Sequence, residues 1–254
     1  MLFILGLIVV AASVVGGYMG GGGHIFVLWQ PLEFVIIFGA AIGAFVIANP
    51  RPVLIGALKA TKKLLTGARA SKANYLDLLA AMFSLFKLAK TKGDLALEAH
   101  VERPEESPIF QAHPSLAGNH HAVAFLCDYL RLLTMGSGSP HEIEAVMEGE
   151  LAGHHAEQEA IAGSVSAIAD GLPALGIVAA VLGVIHTMGS ITEPPEILGH
   201  LIGGALVGTF SGVLASYGVA APVAHSLEST FAAEGKYLEC IKAGIIAHIQ
   251  GYAP

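Results

Sequence analysis

Residues 171–220, "GLPALGIVAAVLGVIHTMGSITEPPEILGHLIGGALVGTFSGVLASYGVA", contain two uncharged apolar segments joined by "ITEPPEI". The segments, 171–190 and 198–220, each have about the 20 residues that a helix needs to cross a bilayer. A helix cannot continue through the double proline between them, because proline has no backbone N–H to donate. The stretch therefore predicts two membrane-spanning helices that form a hairpin.

The rest of the chain has the same character. Of its 254 residues, 54% are hydrophobic and only 13% are charged, and the mean hydropathy is +0.66. Soluble domains carry about 25% charged residues. Residues 1–50 hold two more apolar runs, with Glu33 and Arg51 as the first charged side chains. A cleaved signal peptide is the alternative for the first run, but it has no basic leader. We predict an all-α polytopic membrane protein with four transmembrane helices.

The spans divide the chain into four segments. We predict a transmembrane hairpin at 1–50, a cytoplasmic helical domain at 51–169, a second transmembrane hairpin at 170–222 and a cytoplasmic C-terminal helix or tail at 223–254. This organisation leaves very little of the chain on the external side, which argues against a receptor for an external ligand.

The orientation follows from the basic residues. All 13 lysines and arginines lie within 51–131 or at Lys236 and Lys242, and the short hairpin loops have none. Cytoplasmic loops carry an excess of Lys and Arg. Both termini and the 51–169 segment are therefore expected in the cytoplasm.

Helix signals recur in the cytoplasmic segment. "NYLDLLAAMFSLFKLAK" (74–90) predicts a helix that ends at "TKGD", and "NHHAVAFLCDYLRLLTMGSG" (119–138) predicts a second helix stopped by glycines. Ser139-Pro140-His141-Glu142 resembles a capping box that begins a long acidic helix. The apolar stripe expected on the first helix consists of Leu76, Leu79, Phe83 and Phe86.

No pattern of an enzyme or of a nucleic-acid-binding protein is present. The sequence has no phosphate-binding loop, and "HEIEA" (141–145) departs from the zinc motif HExxH at its last position. The histidine pairs at 120–121 and 154–155 point about 100° apart on a helix and are poor joint ligands. We predict neither a metal site nor a cofactor, and we assign no role to Cys127 or Cys240.

The second hairpin has a face of small residues spaced by three and four. Such faces allow membrane helices to pack closely. Hydroxyls on such a face are also able to bind water or a cation beside a narrow path, and the residues alone leave both interpretations open. The members are Pro173, Gly176, Ala180 and Gly183 in the third span, and Ala205, Thr209, Gly212 and Ser216 in the fourth.

Ion transport normally requires an intramembrane carboxylate or a similar group. Apart from Glu193 and Glu196 in the "ITEPPEI" loop, the acids near the spans are Glu33 and Asp170, each at a predicted membrane edge. If this chain conducts an ion, we expect another chain to supply the carboxylate.

Eight motifs in this order resemble one family, the A subunits of bacterial flagellar motor stators (MotA and its sodium-driven relative PomA). They are "GGYMGGG", "QPLEFVIIFGAAIGAFVI", "YLDLLA", "DYLRLL", "EIEAVMEGE", "LPALGIVAAVLGVIHTMGS", "LVGTFSGVLASYG" and "GYAP". The resemblance implies five A subunits around two MotB-type B subunits, each with an ion-carrying aspartate. It implies proton flow across the inner membrane that turns the rotor. A three-span energiser of the ExbB/TolQ type, a sodium-driven stator and a passive membrane scaffold are the alternatives.

The resemblance also implies residue roles in the spans. Thr209 matches the channel-lining threonine, and Ser216 is assigned to the same path. Sodium-driven members carry a threonine at the position of Ala180, which favours H+ as the transported ion. Pro173 and Pro222 match prolines that couple ion passage to movement.

Outside the spans, Lys90 and Glu98 match the charged pair that engages the rotor protein FliG, and Glu150 is assigned to the same interface. From the residues alone, a solvated surface is the simpler interpretation of the charges at 87–98. Lys90 stands where a close relative has arginine, so the charge is kept but the planar guanidinium group, which can form two parallel hydrogen bonds, is lost. Membrane lipids are the remaining expected partners. Because relatives often extend past the position of Pro254, we expect a short or trimmed tail.

Overall fold

The computed structural model describes residues 2–64, 71–136 and 139–254, and within these ranges it contains helices and no strand. The predicted all-α class is confirmed. Two 3-10 turns, Ile25–Leu28 and Asp94–Leu97, and one π-helical turn, Ser216–Ala220, lie between the α-helices. The α-helices are α1 (Leu2–Gly20), α2 (Pro31–Ala48), α3 (Arg51–Leu64), α4 (Lys72–Lys92), α5 (Glu98–Val101), α6 (Pro108–Gln111), α7 (Pro114–Ala117), α8 (His120–Thr134), α9 (Pro140–Gly189), α10 (Pro195–Ala215) and α11 (Ala221–Ile249).

Four helical stretches of the described chain are long and apolar enough to cross a membrane, as predicted. They begin at Phe3, Ile25, Pro140 and Pro195. Helix α2 has Pro31 at its first position, where a missing N–H costs no hydrogen bond. Between α9 and α10 the helix stops before the double proline, because neither residue donates a helical hydrogen bond.

The chain forms two compact units. The membrane unit comprises Met1–Gly67 and Glu157–Ser229, and the helical unit comprises Ala68–Ala156 and Thr230–Pro254. The predicted segment boundaries at residues 170 and 223 fall inside helices α9 and α11. The sequence placed these boundaries where polarity changes, and a change of polarity does not interrupt a helix.

The core of the helical unit is built from large apolar side chains of α4, α8 and α11 together with the short helices. Its most deeply buried members include Leu78, Leu85, Leu97, Phe110, Leu116, Leu126, Leu130, Met147, Ile241 and Ile245.

The predicted apolar stripe of α4 was wrong. Leu76, Leu79 and Phe83 are about half exposed, and of the four predicted residues only Phe86 is buried. The buried face instead uses a register shifted by one or two positions, which includes Leu78. Because apolar residues occupy both registers at helical spacing, the sequence pattern cannot choose between them, and packing within the unit decides.

Hydrogen bonds at the helix ends agree with the sequence. The Ser139 N–H donates to Glu142 Oε2 at 2.8 Å, and the Glu142 N–H donates to Ser139 Oγ at 3.3 Å, so the predicted capping box is confirmed. Gly93, with φ of 86°, ends α4 at the predicted "TKGD" sequence. This left-handed conformation favours glycine, and it lets the chain turn into the Asp94–Leu97 turn.

Candidate ion path and coupling site

Helices α9 and α10 of the membrane unit pack backbone against backbone. A Cβ atom added at Gly212 would lie 2.7 Å from the Leu172 carbonyl oxygen and 2.8 Å from Gly176 Cα. A Cβ atom added at Gly176 would lie 2.9 Å from the Gly208 carbonyl oxygen. The glycines therefore permit an approach that a methyl group would prevent, as is typical of membrane helices.

The predicted small-residue faces of α9 and α10 do pack together. Two predicted members, Ala180 and Thr209, lie beside the contact, and the residue before each of them makes it. Ala179 is fully buried and contacts Gly208, whereas the neighbouring Ala180 and Thr209 are half-buried. Successive residues point about 100° apart on a helix, so Ala180 and Thr209 lie at the flank of the contact. Thr209 thus keeps part of its side chain accessible within the single chain.

Ser216 lies inside the contact. Its side chain is 2% exposed, and its hydroxyl donates a 2.6 Å hydrogen bond to the Ala169 carbonyl oxygen of α9. The one proton that this hydroxyl can donate is therefore used between two helices of the same chain. Sequence spacing placed Ser216 on the correct face but gave no indication of this bond.

Glu33 is one of the two acids, with Asp170, that the sequence analysis placed at a membrane edge. The structure brings its carboxylate against the α9–α10 contact, with Oε1 3.3 Å from a Cβ atom built at Gly183 and Oε2 3.2 Å from one built at Gly208. Within the described chain, Oε2 is buried and has no hydrogen-bond partner. An acidic group of this chain thus lies beside the residue that precedes Thr209.

The two predicted coupling prolines occupy different backbone settings. Pro173 lies inside α9, and Pro222 is the second residue of α11, directly after the π-helical turn Ser216–Ala220. A π turn was not predicted, because i→i+5 hydrogen bonding has no simple sequence signature. Such turns are frequent at functional sites.

The predicted rotor-facing charges lie in the helical unit, and Lys90, Glu98 and Glu150 are all exposed. Within the described ranges, Lys90 and Glu98 form no ion pair. Glu150 accepts a 2.7 Å hydrogen bond from the hydroxyl of Tyr129, which is buried. Burial, followed by the hydrogen bond and the charge of Glu150, raises the pKa of Tyr129 far above its usual value.

The two histidine pairs that the sequence analysis weighed as metal ligands lie in α8 and α9. The His121 and His154 rings stack at 4.4 Å between centroids. Among the residues that the structure describes, no three His, Cys, Asp or Glu side chains are grouped to hold an ion. Burial raises the pKa of the Cys127 thiol to about 12.

These features define a class: a polytopic helical membrane protein whose third and fourth spans are uncharged and pack backbone against backbone, with a threonine at the flank of the contact. Comparison with known proteins agrees. Residues 4–93 match the family model of the motility protein A N-terminal region, and residues 118–239 match that of the MotA/TolQ/ExbB proton channel family.

Curated relatives extend the match across the chain. The sequence is 42% identical over 254 residues to motility protein A of Escherichia coli (strain K12), covering 100% of this chain and 86% of the relative. It is 35% identical over 245 residues to chemotaxis protein LafT of Vibrio parahaemolyticus, covering 96% and 86%. The chain therefore belongs to the motility protein A family, whose members are flagellar motor stator subunits and not enzymes.

Two solved structures share the fold. The structure of C. jejuni MotAB superposes with a TM-score of 0.83 at 22% identity, covering 98% of this chain and 89% of that one. The flagellar MotAB stator complex of Bacillus subtilis superposes with a TM-score of 0.74 at 25% identity, covering 99% and 90%. Both agree with the predicted four-span helical architecture.

Proposed function

We propose that this chain is the A subunit of a flagellar motor stator that conducts protons across the bacterial inner membrane and converts the flow into torque on the rotor. The observation that carries the proposal is the 42% identity to motility protein A over the full chain. Five copies surround two MotB-type B subunits, and the termini and the helical unit face the cytoplasm. The solved MotAB complexes support the B partner.

In this proposal the α9–α10 pair forms the wall of the path and the B subunit supplies the carrier aspartate. Thr209 is half-buried and flanks the contact, so its side chain is available to a helix of another subunit. Protonation of the aspartate weakens its attraction to polar groups near Thr209 and lets the ring of A subunits step. Each charge that crosses supplies about 2.3 kcal/mol per 100 mV.

The rotor contact is electrostatic. Lys90 and Glu98 are exposed and, within the described residues, form no ion pair, so both are free to meet opposite charges on FliG. Complementary charges steer association and fix the register of a contact, and they contribute less to raw affinity.

Complementation tests the stator proposal. Cells that lack their own A subunit would express this chain with its B partner, and flagellar rotation would be measured. We expect rotation with the native partner and none when the partner's aspartate is changed to asparagine, at equal membrane levels of the complex. Rotation that persists with the asparagine variant would contradict an aspartate-carried ion.

A bulky residue at Thr209 tests the path itself. We expect Thr209→Leu to stop rotation because the added volume blocks the flank of the α9–α10 contact. The matched control is Leu206→Ala, since Leu206 lies on the same helix and is 66% exposed. A passive membrane scaffold needs no ion, so Thr209→Leu would then leave flagellar rotation intact.

Swimming speed tests the ion. The alanine at position 180 favours protons, so we expect speed to be independent of external sodium and to fall when a protonophore is added. Dependence on sodium would show that the ion is not decided at Ala180.

An ExbB/TolQ-type energiser is the second candidate, because the matching channel family includes those proteins. The motility-specific match at residues 4–93 and the four candidate spans favour the motor. Restoration of energised outer-membrane transport, without motility, would favour the energiser.

A further inference from the structure

Pro173 leaves one backbone carbonyl of α9 without its usual partner. In an α-helix the N–H of residue 173 would donate to the carbonyl of residue 169, and proline has no N–H. The Ala169 carbonyl therefore needs another donor. Ala169 is 2% exposed, so its carbonyl lies away from bulk water, and a neighbouring helix or a Ser or Thr side chain can satisfy it.

The donor is Ser216. Its hydroxyl lies 2.6 Å from the Ala169 carbonyl oxygen, and the side chain is 2% exposed, so water does not compete for the bond. Ser216 is also the first residue of the π-helical turn that ends at Ala220, two residues before Pro222. One side chain thus joins the carbonyl freed by the first proline to the irregular turn before the second.

Close packing holds this bond in place. The backbones meet one turn away, where a Cβ atom at Gly212 would lie 2.7 Å from the Leu172 carbonyl oxygen. A change of the backbone at Pro173 cannot be absorbed by loose side chains at this contact.

We propose that Ser216 is a positioning residue of the coupling machinery: by donating to the carbonyl that Pro173 frees, it makes the Pro173 site and the π turn before Pro222 move as one element. The proposal rests on the proposed function, in which both prolines couple ion passage to movement. It reassigns Ser216 from the wall of the path to the link between the two prolines.

The torque of single stator units tests the link. Rotation speed of a loaded flagellum rises in steps as units join the motor, and each step measures the torque of one unit. We expect Ser216→Ala to lower the step height by about twofold or more, the size of effect typical of residues along a coupled network. A residue needed only for folding would lower the number of steps and leave their height unchanged.

Ser211 provides a matched control, because it is a serine on α10 with a similar exposure of 9%. Ser211→Ala also removes a hydroxyl group, but at a position that does not bond the Ala169 carbonyl. We expect this variant to keep the native step height. Equal step heights in the native chain and Ser216→Ala would overturn the proposal, and so would an equal loss in Ser211→Ala.

A second measurement keeps the proposal testable if Ser216→Ala assembles too poorly for step counting. Pro173→Ala restores an N–H that can bond the Ala169 carbonyl. We expect Ser216→Ala to lower the melting temperature of the purified complex in the Pro173 background and to have little effect in the Pro173→Ala background. Equal losses in both backgrounds would show that the hydroxyl does not serve the freed carbonyl.

Rescue by threonine identifies the chemical group. Ser216→Thr keeps the hydroxyl, and we expect its step height to exceed that of Ser216→Ala. A step height no better than that of alanine would overturn the role of the hydroxyl. Absence of steps with the native chain would instead contradict the proposed stator function, so the two failures are distinguishable.

Discussion

The membrane unit and the helical unit are both all-helical, but they are held together by opposite means. The helical unit buries leucine, isoleucine and phenylalanine, among them Leu126 and Phe110, whereas the central contact of the membrane unit is glycine against backbone at Gly176 and Gly212. In water, helices associate by removing apolar surface from solvent. Lipid is as apolar as leucine, so membrane helices gain from close approach instead. The same chain therefore depends on large residues in one unit and on small residues in the other.

The largest effect is expected where the helical unit loses a large core residue. Leu126 is fully buried, and Leu126→Ala removes packed atoms and leaves a cavity, at a cost of about 2–5 kcal/mol. Thermal unfolding of the purified complex measures the loss. Leu76→Ala is the matched control, because Leu76 is 58% exposed and should change stability little. Equal losses of stability in the two variants would instead support the apolar stripe of α4 that the sequence spacing predicted.

The opposite change is expected to damage the membrane unit. Gly212→Ala adds a methyl group 2.7 Å from the Leu172 carbonyl oxygen, and overpacking of this kind costs about 1–3 kcal/mol. The melting temperature of the complex and swimming speed should both fall. Gly199→Ala on the same helix has open space around it and should be neutral. If both substitutions were tolerated alike, close approach would not be what holds α9 to α10.

A smaller effect is expected from a polar contact of the helical unit. Tyr129→Phe removes the hydrogen bond to Glu150 at a cost of about 1 kcal/mol. The pKa of Tyr129 is raised in the folded protein. The stability that this raised pKa contributes is therefore fully present below the pKa of about 10 that tyrosine has in the unfolded chain. The contribution is lost as pH rises above that value, since the unfolded chain ionises first. Stability measured at pH 7 to 11 should therefore fall less steeply in the variant. An unchanged slope would contradict the raised pKa.

The smallest effect concerns chemical reactivity alone. Burial raises the pKa of Cys127 to about 12, so at pH 8 its thiol is neutral and shielded. Only the thiolate reacts with alkylating reagents. We expect Cys127 to be alkylated more slowly than the half-buried Cys240, with single-cysteine variants compared before and after unfolding. Equal rates in the folded protein would show that the core around Cys127 opens readily.

Much of this architecture was predictable because its causes are local. Uncharged runs about as long as a bilayer is thick gave the spans, and the double proline gave the break between α9 and α10. The capping box at Ser139 depends on residues three apart and was correctly predicted. The apolar stripe of α4 was not correctly predicted, because which face of α4 is buried depends on α8 and α11, which are distant in sequence.

Of the candidate site, the sequence by itself determined the residue types: a small-residue face, hydroxyls on it, and two prolines at Pro173 and Pro222. Only the tertiary structure decided their partners. Packing points Gly208 toward α9 and leaves Thr209 at the flank of the contact, with Glu33 beside them. It also brings the Ser216 hydroxyl within hydrogen-bond distance of the Ala169 carbonyl oxygen. The physical reason is that helical periodicity fixes which residues share a face to within about one position. Which atoms meet across two helices depends on their rotation and depth, and only packing sets these.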